Sequence, residues 1–226
     1  TNPVENFCHN NNIIFKYFDD SEIYSDMVYG VCVSFGAIFK DDFINGNAPI
    51  FNIHLSRLPE LRGPSPVESA ILNGNTLFGY TIFKIVQEID EGPILYQNDV
   101  EVLDNYSSNV YEALLEDFIR SFKSIDFKSP LQIQEGSVSV TRKFVKTDYM
   151  ISKEDTIYEA KNKIKAFDIL GPAYIQYDSK IIKIHKYTED NSDFKYELKD
   201  GNLNLDEITP EGKNKMTAND YIRGRQ

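Results

Sequence analysis

The sequence contains no tryptophan, and only two cysteines, three histidines and three methionines in 226 residues. Cys32 lies inside an apolar run, where a free thiol behaves as a small hydrophobe. With Cys8 as its only companion, neither a disulfide framework nor a zinc cluster is indicated, and no metal is expected. Positive charge is also scarce: 24 Lys and Arg stand against 35 Asp and Glu, a formal balance of −11. Such a surface repels phosphate backbones and anionic lipid headgroups, which argues against a nucleic-acid or membrane partner. Long apolar runs are missing too. The longest, "MVYGVCVSFGAIF", is interrupted by Tyr, Gly and Ser and is too short to span a bilayer, and no signal peptide opens the chain. A cytoplasmic protein is the expectation.

What is present suits a folded domain with a smaller appendage: an apolar fraction of 41%, rich in Phe and Tyr. The first 105 or so residues alternate helix-like and strand-like segments, an α/β pattern. "PVENFCHNN" opens as a helix with Pro3 in its first turn. Strands are expected at Ile13 to Tyr17, Met27 to Ser34, Ile50 to His54, Leu77 to Val86 and Ile94 to Val102. The continuous run "VYGVCVSF" reads as a strand buried on both faces. "SPVESAILNG" reads as a helix capped by Ser65 and stopped by Gly74, and "SSNVYEALLEDFIRSFKSID" as a longer one with Val110, Leu114, Phe118 and Phe122 in one stripe.

From about residue 127 the texture turns polar. The expected division is a catalytic domain over 1–130, a linker over 131–148 and a small carboxyl-terminal unit over 149–226. That unit shows a helix in "SKEDTIYEAKNKIKAF", two alternating runs joined at Asp178 and Ser179 like a hairpin, short strands "FKYEL" and "NLNLDEI" around "KDG", and a final helical turn in "TANDYIRG".

One constellation carries chemistry. Side chains two apart on a strand share a face, so Asn52 and His54 of "IFNIH" project together, beside a loop "LSRLPELRGPSP" rich in turn formers. Open α/β sheets place ligands at such strand ends. Asp90, in "IDEG", leaves a second strand towards the same loop region, where a carboxylate can accept a hydrogen bond from an imidazole. Taken singly, the Asn–His pair also fits two polar groups satisfied by loop backbone, and "IDEG" also fits an ordinary solvated turn.

Together these stretches resemble the folate-dependent formyltransferases, especially the methionyl-tRNA and sugar nucleotide enzymes. The resemblance rests on Asn52, His54, Ser56, Leu58, Pro59, Arg62 and Gly63, followed by Gly79, Thr81, Asp90 and Gly92. It implies a Rossmann-like domain with a mostly parallel sheet, plus a reduced OB-like β-hairpin unit at the carboxyl end that helps make a homodimer. It also implies N10-formyltetrahydrofolate as donor, tetrahydrofolate as product and a primary amine as acceptor. The catalytic trio is carried onto Asn52, His54 and Asp90. The folate pocket is carried onto Gly36, Ala37, Ile38, Phe39, Pro64, Val86, Gln87, Glu88 and Ile89. The acidic charge and shortened barrel favour a nucleotide-linked amino sugar over tRNA as acceptor, with a catalytically silent binding module as the reading from another class. Two departures stand out. "TNPVEN" resembles the helix that follows the family's opening strand, helix and strand, and Lys84 stands where relatives usually carry an aromatic, Gln or His.

Overall fold

The computed structural model describes residues 2–19 and 21–224. Four strands form the first sheet: β1 (Gly30–Val33), β2 (Ile50–His54), β3 (Leu77–Lys84) and β4 (Ile94–Glu101), in the order β1-β2-β3-β4. The α/β class is as expected, but the sheet is mixed rather than mostly parallel. β1 and β2 run parallel, whereas β2–β3 and β3–β4 are antiparallel. The short connection between β3 and β4 explains the last pairing, since a parallel neighbour needs a longer crossover.

Helix α1 (Pro3–Asn10) starts as its sequence demands: the Asn2 side chain accepts a hydrogen bond from the Val4 N–H, and Pro3 occupies the first turn. The strand expected at Ile13 to Tyr17 does not form. That stretch has no strand partner among the described residues, and Ile14 is 91% exposed. β1 is shorter than expected and is not buried on both faces. Among the described residues it pairs with β2 alone, so Val31 and Val33 remain exposed on an edge strand. β2 has neighbours on both sides, and all its side chains are buried except the half-buried Asn52.

Helices α2 (Asp41–Gly46), α3 (Pro66–Leu72) and α4 (Ser107–Phe122) complete this part. The Ser65 hydroxyl does not cap α3. Instead its carbonyl accepts from Ser69, and its N–H donates to Thr141 Oγ1. On α4 the predicted stripe faces inward: Val110 and Leu114 are fully buried, and Phe118 packs against Phe122, which meets Phe127.

The second unit is built from α5 (Ile157–Ala166), β5 (Tyr174–Tyr177), β6 (Lys180–Tyr187), β7 (Lys195–Leu198), β8 (Gly201–Pro210), β9 (Met216–Thr217) and α6 (Ala218–Arg223). Its sheet is antiparallel in the order β5-β6-β8-β7, with β9 beside β8. The hairpin at Asp178 and Ser179 closes with both residues left-handed, φ 48° and 62°, the backbone twist that two-residue hairpins favour. Two cores result, one per sheet, and α5 joins them. Ala166 and Phe167 are buried in the first core, where the Phe167 ring meets Phe144 edge to face and lies tilted against Tyr149. Burying a phenylalanine stabilises by about 1.5–3 kcal/mol, so this is a firm tie between the units.

Candidate active site

Strand β2 delivers Asn52 and His54 to one face of the sheet, as its period of two requires. His54 is 6% exposed, and its Nε2 lies 2.8 Å from the Leu61 carbonyl. A carbonyl only accepts, so Nε2 carries the N–H and donates it. That leaves Nδ1 as the nitrogen available for proton exchange, and it faces Asp90 Oδ2 at 3.7 Å. The separation is within ion-pair range and longer than a hydrogen bond. Asp90 Oδ2 accepts 2.7 Å from the Gly63 N–H, which holds the carboxylate beside the imidazole.

The loop after β2 is scaffolded from beneath by the neighbouring strands. Thr81, opposite His54 in the register, is fully buried; its hydroxyl donates to Ser56 O at 2.6 Å and accepts from Leu58 N at 3.0 Å. Gln97, opposite Thr81, donates to Leu58 O and Thr81 Oγ1. Ser56 Oγ donates to Glu60 O. These bonds shape a turn in which Leu61 adopts a left-handed conformation and presents its carbonyl to His54. Gly63, at φ +103°, then aims its N–H at Asp90.

Asp90 reaches the site differently from the sequence expectation. β3 ends at Lys84, level with Phe51 at the far end of β2, and the loop over residues 85–92 folds back across the sheet to return Asp90 to His54. The fold-back needs glycine at position 92, where a Cβ would lie 1.7 Å from the Lys84 carbonyl oxygen. Asp90 itself is left-handed, φ 57°.

The candidate folate residues lie on two loops and at one proline, with Phe39 and Val86 half-buried and the others exposed. Gly36 to Phe39 follow β1, which leaves the sheet at the His54 end of β2, and Ile38 is 76% exposed. Val86 to Ile89 follow β3, which leaves at the Ile50 end, and Gln87, Glu88 and Ile89 are exposed. Pro64 is exposed next to Gly63.

Residues 131–142, read from sequence as part of a linker, run along the loop after β2 instead. Gln132 exchanges two backbone hydrogen bonds with Ile94. Ser139 accepts from Leu61 N through its hydroxyl and from Arg62 N through its carbonyl, and Thr141 donates to Arg62 O. Gln134 donates to Asp90 O and Gly92 O while accepting from Arg62. Sequence reasoning missed these residues because a coil segment making long-range bonds has no periodicity to betray it.

The Formyl transferase family matches residues 21–120. The methionyl-tRNA formyltransferase of Thermosipho melanesiensis is 33% identical over 158 residues, which cover 69% of this chain and 52% of that protein. That of Fervidobacterium nodosum is 30% identical over 220 residues, covering 83% of this chain and 68% of the relative. The chain thus spans little more than half the length of the former. Among solved structures, WlaRD, described as a sugar 3N-formyl transferase in the presence of dTDP and 5-N-formyl-THF, superposes with a TM-score of 0.68 at 21% identity. The match covers 93% of this chain and 82% of WlaRD, a likeness of fold. The α/β fold is the one that this solved structure shares. The chain belongs to the folate-dependent formyltransferase family.

Proposed function

We propose that the protein transfers a formyl group from N10-formyltetrahydrofolate to the primary amine of a nucleotide-linked amino-dideoxy sugar, such as dTDP-4-amino-4,6-dideoxyglucose, for surface polysaccharide (O-antigen) synthesis. The observation that carries formyl transfer is the approach of Asp90 to His54 at the end of β2, with Asn52 two residues earlier on the same strand face. The neutral amine attacks the formyl carbon, and negative charge builds on the carbonyl oxygen. The half-buried Asn52 amide donates to it; removing such a donor typically costs about 3 kcal/mol of barrier. His54 Nδ1 takes the proton released as the new C–N bond forms, next to the Asp90 carboxylate, and returns it to N10 as the old bond breaks. Tetrahydrofolate and the formylated amine leave. Gly36 to Phe39, Pro64 and Val86 to Ile89 line the folate site in this reading. The catalytic domain takes in residues 131–142 as well as the expected 1–130, because that segment hydrogen-bonds along the site, and the unit over 149–226 makes a homodimer.

The −11 charge supports a small nucleotide sugar over a large polyanion as acceptor, and WlaRD offers a sugar enzyme of the same fold. A second reading is favoured by the curated relatives, which are methionyl-tRNA formyltransferases. The test incubates protein and N10-formyltetrahydrofolate with a panel of dTDP-, UDP- and GDP-linked 3-amino and 4-amino sugars, and separately with methionyl-tRNA. Tetrahydrofolate release with one sugar, lost in His54→Ala and Asp90→Ala, is the expected result. Release with the tRNA alone supports the second reading. No release with any amine makes the chain a silent binding module and overturns both.

A further inference from the structure

One side chain outside the catalytic trio bonds to both of the loops that build the site. The Gln134 amide nitrogen donates to Asp90 O and to Gly92 O, each at 2.8 Å. Its oxygen accepts from Arg62 Nη2 at 2.7 Å and Nε at 3.2 Å. Arg62 completes the circuit by pairing its Nη1 with Glu91 Oε1 at 2.8 Å. The two loops tied in this way are those that supply the His54 environment: the first presents Leu61 O and Gly63 N, the second presents Asp90.

The chemistry of the contact asks for a primary amide. Two carbonyls on one side need a donor with two hydrogens, and a guanidinium on the other needs an acceptor. The left-handed Asp90 sits in a tight turn, and such a conformation persists only where its surroundings hold it. Both of its neighbouring anchor points, its own carbonyl and that of Gly92, are bonded to Gln134.

We propose that Gln134 is a positioning residue for the reaction. It sets the distance and direction of the Asp90 carboxylate relative to His54 Nδ1 from a segment that crosses the site on its way to the second unit. The inference rests on the formyl-transfer reading, and it extends that reading to a residue with no contact to the reacting atoms.

The test is a double-mutant cycle on tetrahydrofolate release, using Gln134→Met, which keeps length and loses both functions, and Gln134→Glu, which keeps the acceptor for Arg62 and loses donation. Displacing a reacting group by about 1 Å can cost up to ~100-fold in rate. Both variants are therefore expected to lose roughly 10- to 100-fold in kcat, with KM for the folate donor within about threefold. In an Asp90→Asn background the Gln134→Met loss is expected to vanish, because coupled sites are non-additive. An equal loss in both backgrounds, or a kcat within about twofold of wild type, overturns the proposal.

A second readout needs no acceptor. In the folded, ligand-free protein at fixed pH, the 15N resonance of His54 Nδ1 is expected to move in Gln134→Met in the same direction as in Asp90→Asn. A resonance that moves in Asp90→Asn and stays put in Gln134→Met overturns the positioning role even if no acceptor is found. A resonance that moves in both supports it, even if the formyl-transfer reading fails.

Discussion

Gly92→Ala probes the fold-back that carries Asp90 to the site. A Cβ at position 92 would lie 1.7 Å from the Lys84 carbonyl oxygen and 2.9 Å from its carbon, where real Cβ contacts stay beyond 3.0 Å. Neither side can yield freely. Lys84 N–H donates to Pro93 O at 2.9 Å, Phe83 pairs with Ile94, and Gln134 holds Gly92 O. Opening the loop forfeits one or two of these hydrogen bonds at about 1 kcal/mol each, on top of about 1–3 kcal/mol for overpacking. The expected destabilisation is about 2–5 kcal/mol. In a chain of this size that lowers Tm by roughly 4–20 °C, since each kcal/mol shifts it by about 2–4 °C. Displacing Asp90 should also lower kcat more than KM. The matched control is Gly36→Ala, where a Cβ meets nothing within 4 Å and Tm should hold within about 2 °C. Thermal unfolding followed by circular dichroism reads both variants. A Gly92→Ala protein that melts with its control and keeps its turnover refutes the reasoning.

Three further outcomes are expected. Burial raises the Glu68 carboxyl above its ordinary value, with Tyr111 OH donating to it at 2.9 Å. A group whose folded value is raised lends its stability below the ordinary carboxyl range and loses it as pH climbs through the folded value. Glu68→Gln should therefore gain on wild type in urea midpoint between pH 4 and pH 8, and a difference that does not change with pH contradicts the reading. Thr156 caps α5, with Glu159 returning the bond, so Thr156→Ala should cost about 1 kcal/mol and lower Tm by roughly 2–4 °C. Phe167→Ala removes the ring that α5 seats in the first core and should cost roughly 3–5 kcal/mol by urea titration; a loss under about 1 kcal/mol would mean the two cores are not tied there.

Much of this fold was legible in the residues because it follows from local rules. Asn52 and His54 share a face because strand side chains alternate, and that needs no knowledge of neighbours. Pro3 in the first turn of α1, the α4 stripe and the Asp178–Ser179 hairpin are likewise short-range consequences of backbone preference and apolar spacing. The expected strand at Ile13 to Tyr17 failed for the opposite reason: apolar, β-branched residues fit a sheet only where a partner offers hydrogen bonds, and none lies beside them among the described residues. The burial of β1 failed in the same way, since one paired edge leaves Val31 and Val33 in solvent.

By itself, then, the sequence determined which side chains share a strand face and which segments are helices or tight turns, because those depend on geometry a few residues long. Only the tertiary structure decided that β3 stops early and its loop folds back to set Asp90 3.7 Å from His54, that Leu61 O takes Nε2 and leaves Nδ1 facing Asp90, and that Gln134 ties both loops together. Each of those depends on hydrogen bonds between residues far apart in the chain. No local pattern encodes such a bond, because its partner is chosen by the packing of everything between.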